Sequence, residues 1–131
     1  MPISVTAKET FRVGSTFVIE GPSDGAPYLC VFEDDGDTGY LYAVDVSGEE
    51  LQILDAVHIY NVQDVVDREK PSVAKIGWSV DGMKAVLLIN DSPHAVFDFS
   101  AQQGYCRTGF PPPTGGWSGH AWDDAALELF S

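Results

Sequence analysis

The stretch Val73-Ala74-Lys75-Ile76-Gly77-Trp78-Ser79-Val80-Asp81-Gly82-Met83-Lys84-Ala85-Val86-Leu87-Leu88-Ile89-Asn90 decides the fold class. Two apolar runs rich in strand-forming residues flank Asp81-Gly82. Asp-Gly favours a type I′ turn, whose two central residues need φ > 0 and whose twist matches the strands it joins. A two-residue loop sets Val80 opposite Met83, Trp78 opposite Ala85 and Ile76 opposite Leu87. These pairs share one face, and the large Trp78 meets the small Ala85, so the register is self-consistent. The turn sequence Asn90-Asp91-Ser92-Pro93 follows and leads to another strand, His94 to Phe99.

Toward the N-terminus the strand signals continue. Thr10 to Glu20 carries Phe11, Val13, Phe17, Val18 and Ile19, and reads as one strand with a bend or bulge at Gly14. Gly21 to Gly25 is turn chemistry. Tyr28 to Phe32 is apolar on both alternating faces, which suits a central strand covered on both sides. Tyr40 to Asp45 alternates again, and the polar loop between the two makes a hairpin. Leu51 to Val62 fits helical spacing in part. Its β-branched and aromatic residues (Ile53, Val57, Ile59, Tyr60, Val62) fit a pleated surface better, so it is assigned as a strand. Gln63 to Ser72 is a charged connection ending at Pro71.

Toward the C-terminus the pattern changes. Ala101 to Gly119 is dense in Gly and Pro and has little regular period. His120 to Phe130 places Trp122, Ala125, Ala126, Leu129 and Phe130 at helical spacing, with Asp123 and Asp124 in the first turn, where negative charge suits the helix dipole. The fold class is therefore α+β, mainly β: an antiparallel meander of about six or seven strands closed by one C-terminal amphipathic helix.

The 131 residues suit a single domain, 1–131, able to bury about two-thirds of its unfolded surface without a metal or disulfide. Apolar residues make up 44% and charged residues 21%, enough apolar surface to offset the entropy of ordering. Twenty acids stand against seven Lys and Arg, a net charge of −13, with a pI near 4.2. That field repels phosphate backbones and anionic membranes, so neither nucleic acid nor membrane is an expected partner. The same charge serves solubility alone, or attracts a basic protein over a Debye length, ~8 Å in physiological salt. No stretch reaches the ~20 apolar residues of a membrane span, and the N-terminal residues do not read as a secretory signal. A cytoplasmic location is expected, with Cys30 and Cys106 as free thiols.

Few motifs suggest chemistry. The loop Asp34-Asp35-Gly36-Asp37-Thr38-Gly39 resembles a calcium loop, but in EF-hand register the glycine position is Thr38 and the closing Glu position is Val44. His58, His94 and His120 sit in three separate segments with no ligand-pair spacing. No metal site and no cofactor are expected. The candidate catalytic residues are Cys106, whose neighbour Arg107 favours the thiolate, with His120, His94 and Asp123 as base and orienting acid. Cys30 reads as core. Tyr105, Arg107, Phe110 and Trp117, set among Pro111 to Pro113, are the candidate binding residues, because aromatics and Arg anchor interfaces and a loop this long is usually functional or packed down.

Four segments together carry a resemblance: Phe32-Glu33-Asp34-Asp35-Gly36-Asp37-Thr38-Gly39-Tyr40; Ile53-Leu54-Asp55-Ala56-Val57-His58-Ile59-Tyr60-Asn61-Val62; Trp78-Ser79 with Asp81-Gly82; and Gly104-Tyr105-Cys106-Arg107-Thr108-Gly109-Phe110-Pro111-Pro112. From about Val13 to Trp122 the chain resembles a family of small bacterial proteins catalogued as a domain of unknown function. The resemblance implies a bacterial cytoplasmic origin and brings no activity, cofactor or catalytic residue.

Two functions from different classes follow. The first is a non-enzymatic acidic interaction domain, immunity- or inhibitor-like, covering a basic surface of another protein. The second is a small enzyme or ligand-binding protein using a pocket between the sheet and the 104–119 loop. Nothing in the residues decides the oligomeric state.

Overall fold

The computed structural model describes residues 3–66, 69–101, 103–106 and 118–121. Among the described residues ten strands form: β1 (Ser4–Phe11), β2 (Phe17–Pro22), β3 (Tyr28–Asp34), β4 (Thr38–Asp45), β5 (Gln52–Asn61), β6 (Ser72–Trp78), β7 (Lys84–Ile89), β8 (Ser92–Asp98), β9 (Gln103–Cys106) and β10 (Ser118–Ala121). They build two sheets, one in the order β1-β6-β7-β8-β9-β10 and the other in the order β2-β3-β4-β5. All pairs are antiparallel except β9 and β10, which run parallel.

The mainly β, antiparallel class holds, and Leu51 to Val62 is strand over Gln52–Asn61. The single meander is corrected to two sheets, and the physical reason lies at Gly14. Its φ of +94° turns a corner there instead of forming a bulge, and an added Cβ would lie 3.1 Å from Val62 Cγ1. The segment expected as one strand is therefore two strands that enter different sheets. β1 pairs with β6, far along the chain, with Thr10 opposite Val73 and Lys8 opposite Lys75. Most of β1 is polar and exposed, as an edge strand can be, so it carries no alternating signature. The helix expected over His120 to Phe130 starts on residues that belong to β10; residues 122–131 lie outside the described residues.

The core lies between the sheets, and both contribute. Phe11, Phe17, Phe32 and Tyr60 form one aromatic group with edge and tilted contacts. Trp78, Phe99, Phe97 and Tyr28 form another. The Trp78 indole N–H donates to the Gly21 carbonyl across the sheets at 3.0 Å. The strands approach closely there, for a Cβ on Gly21 would fall 2.6 Å from Ile76 Cγ2. On β3, Cys30 and Phe32 face this core, whereas Val31 and Glu33 are half-buried, so only one face of that strand is fully covered.

Cys30 is a free thiol with no exposed surface, and burial pushes its pKa up. We expect it to resist alkylation by iodoacetamide in the folded protein and to react once urea unfolds the chain. Rapid modification of Cys30 under native conditions, read by mass spectrometry, would contradict this packing.

The β6–β7 hairpin keeps the expected register, with Trp78 opposite Ala85 and Ile76 opposite Leu87. Its loop differs. Ser79 closes onto Lys84, leaving four loop residues, and of the two expected positive-φ residues only Gly82 has one (+73°). Local side-chain bonds explain the change. The Asp81 carboxylate accepts the Ser79 hydroxyl, the Met83 N–H and the Lys84 ammonium, and Ser79 Oγ accepts the Lys84 N–H. Two-residue and four-residue loops share the same centre, so the strand pairs are unchanged. The two-residue turn with φ > 0 at both centres lies instead at Asn90 (52°) and Asp91 (65°), between the paired Ile89 and Ser92.

The bonds from Ser79, Met83 and Lys84 lower the Asp81 pKa to about 2. A carboxyl depressed on folding stabilises the protein above its unfolded pKa of about 3.9, and that stabilisation is lost as pH falls through about 2. The group is largely exposed, so the effect is small. A carboxyl-carbon NMR titration is expected to place the Asp81 midpoint well below those of unpartnered aspartates. A midpoint near 3.9 would mean the loop bonds do not persist in solution.

Candidate functional site

Strand alternation in the four-stranded sheet puts Ile19, Cys30, Phe32, Leu41, Val57 and Ile59 in the core. The opposite parity forms the outer face. There Val18 pairs with Glu33, Glu33 with Tyr40, Tyr40 with His58, Glu20 with Val31 and Val31 with Tyr42. Glu20 is exposed, Val18 is 51% exposed, and Val31, Glu33, Tyr40, Tyr42 and His58 are half-buried.

Aromatic rings line this face. Tyr40 and Tyr42, two residues apart on β4, stack with centroids 6.0 Å apart and planes 27° apart. The His58 ring lies 5.3 Å from Tyr40, with Nε2 3.2 Å from the Tyr60 carbonyl oxygen. The Tyr42 hydroxyl donates to Glu33 Oε1 at 3.1 Å. Burial, then the bond to Glu33 and the charge of that carboxylate, push the Tyr42 pKa up to about 12. The result is a shelf of half-buried rings, packed against one another, with a carboxylate tied to its edge.

Charge is segregated along the chain. Between Arg12 and Arg68, residues 13–67 contain twelve acids and no Lys or Arg. The rest of the chain holds eight acids and all seven bases, and is nearly neutral. Almost the whole net charge of −13 thus falls on the segment that builds β2 to β5. On the other sheet Lys75 and Lys84 are paired with Asp91 and Asp81.

The acidic β3–β4 loop is occupied with its own backbone. Asp34, fully buried, accepts the N–H of Gly14 and of Gly36, both at 2.8 Å, and the Tyr60 hydroxyl at 2.7 Å. Asp35 accepts from Asp37 and Thr38 at 2.9 and 2.8 Å, and these bonds lower its pKa. Among the described residues no group of three or more His, Cys, Asp or Glu is placed to hold a metal.

The residues singled out from the sequence fall elsewhere. Tyr105 and Cys106 are in β9 and His120 in β10, with Tyr105 opposite His120 and Cys106 opposite Ala121. On the other side Cys106 pairs with Ala95, next to His94 in β8. The fold thus brings Cys106, His120 and His94 onto three adjacent strands. His94 Nδ1 lies 2.8 Å from the Ser92 carbonyl oxygen. Arg107, Phe110, Trp117 and Asp123 lie outside the described residues. β5 packs against β8, β9 and β10, and Asp55 Oδ2 of β5 sits 3.0 Å from the position of a Cβ on Gly104. In the sequence, Tyr40, Tyr42 and Glu33 carry only strand and loop signals. The absence of Lys and Arg over residues 13–67 is the signal that points to them.

Fold and face together define a two-sheet β domain whose four-stranded sheet carries Glu20, Glu33, Tyr40 and Tyr42 on its outer face. A family described as an uncharacterized protein conserved in bacteria (DUF2251) matches residues 11–131, and the chain belongs to it. An uncharacterized protein of Haemophilus influenzae (strain ATCC 51907 / DSM 11121 / KW20 / Rd) is 42% identical over 86 residues, covering 66% of this chain and 53% of that protein. The chain therefore spans about half the length of the curated relative it matches. No solved structure matches it. Among the described residues no helix is long and apolar enough to cross a membrane.

Proposed function

We propose that this chain is a non-enzymatic acidic interaction domain, immunity- or inhibitor-like, that docks a basic protein in the bacterial cytoplasm through the outer face of β2 to β5. The observation that supports this reading is the run of twelve acids without a base over residues 13–67, which build that sheet and its loops, together with Glu20 and Glu33 on the outer face itself. A surface of one sign steers an oppositely charged partner and repels wrong ones. Tyrosines at its centre supply the rigid contact area from which interface anchors are made.

The test is a pull-down with the full chain, repeated with Glu20→Lys and Glu33→Lys, over a series of salt concentrations. We expect a basic protein that is captured at low salt, is released as salt rises and is lost with the charge-reversed variants. Capture that ignores both salt and these substitutions would refute the reading.

A further inference from the structure

We infer that the outer face of β2 to β5 selects arginine over lysine, reading a guanidinium on the partner's surface with the Tyr40–Tyr42 shelf and Glu33. This rests on the docking reading above and adds what the face recognises. Two features of the geometry carry it. The first is the pair of half-buried tyrosine rings, stacked with planes 27° apart on the outer side of β4. The second is a carboxylate held at their edge, because Tyr42 donates to one oxygen of Glu33 at 3.1 Å.

A guanidinium is flat, weakly hydrated and carries several N–H donors in one plane, so it can stack on a ring while donating to a carboxylate beside it. An ammonium is a compact, strongly hydrated charge that gains less from a ring face. Val18 and Val31, the strand partners of Glu33 and Tyr42, give apolar surface for the methylene stem. Residues 13–67 supply no Lys or Arg to compete for Glu33. A second copy of this chain is a poor occupant, since it brings the same charge of −13.

The experiment uses the full chain and two synthetic peptides of equal length and charge, one carrying arginines and the other lysines, with affinity measured by calorimetry. We expect the arginine peptide to bind about five- to tenfold more tightly, the size of one stacked cation–π contact. Tyr40→Leu and Glu33→Gln should erase that preference. Tyr42→Phe, which keeps the ring and frees the carboxylate, should reduce it. These positions are on the outer face, and a thermal melt of each variant confirms that it remains folded. Equal binding of both peptides, or a preference that survives Tyr40→Leu and Glu33→Gln, would overturn arginine selection and leave acidic docking standing. Binding of neither peptide would overturn both.

Discussion

Asp34→Ala is expected to destabilise the protein by about 3–5 kcal/mol, read as a lowered urea midpoint with an unchanged slope. The carboxylate is fully buried and joins three parts of the chain. It accepts Gly14 N–H at the β1–β2 corner, Gly36 N–H in the β3–β4 loop and the Tyr60 hydroxyl from β5. Alanine leaves all three donors without their acceptor, and each hydrogen bond to a charged group is worth ~1.5–3 kcal/mol. These losses overlap, since a relaxed corner readmits water, so they do not simply add. Tyr60→Phe removes only one of the three and should cost less. The Tyr60 ring also covers Gly39, where a Cβ would fall 2.7 Å from Tyr60 Cζ, so Gly39→Ala should disturb the same bond by displacing the ring. If Asp34→Ala costs under ~1 kcal/mol, the corner is not held by this carboxylate.

Trp78→Ala is expected to cost at least as much, about 3–5 kcal/mol from packing, because truncating a buried Trp leaves a cavity that neighbours refill only in part. Trp78 is 1% exposed and among the largest fully buried side chains. Its ring lies 5.2 Å from Phe99, whose ring stacks on Tyr28 of the opposite sheet. Its indole N–H satisfies the Gly21 carbonyl across the sheets. The aromatic contacts therefore link the six-stranded sheet to the four-stranded one, and alanine removes packing and hydrogen bond together. Trp78→Phe separates the two contributions. It keeps most of the apolar contact and removes only the indole's bond to the Gly21 carbonyl, for a smaller loss of ~1–3 kcal/mol. Chemical denaturation of both variants decides the matter. Equal, small losses would mean that the sheets are not joined at Trp78.

Several features were legible in the sequence because they are local. Cys30 reads as core from the apolar strand around it, and it lies there with no exposed surface. β-branched content over Ile53 to Val62 outweighed partial helical spacing and marked β5. The centre of the β6–β7 loop sufficed to pair Trp78 with Ala85, although the turn type was decided by Asp81 and Ser79 side chains. The bacterial family was also readable, from strings such as Phe32 to Tyr40.

What the sequence by itself determined was a β-rich chain with a large negative charge, because strand period and composition are properties of neighbouring residues. Only the tertiary structure decided that Gly14 is a corner between two sheets, that β1 lies beside β6, and that His94, Cys106 and His120 reach adjacent strands. It also decided that Glu33, Tyr40 and Tyr42 share one surface. The physical reason is that strand pairing is a contact between residues distant in the chain. Backbone hydrogen bonds carry no record of which strand they join, so partners are selected by side-chain fit across sheets, as at Trp78 and Gly21, once the whole chain has come together.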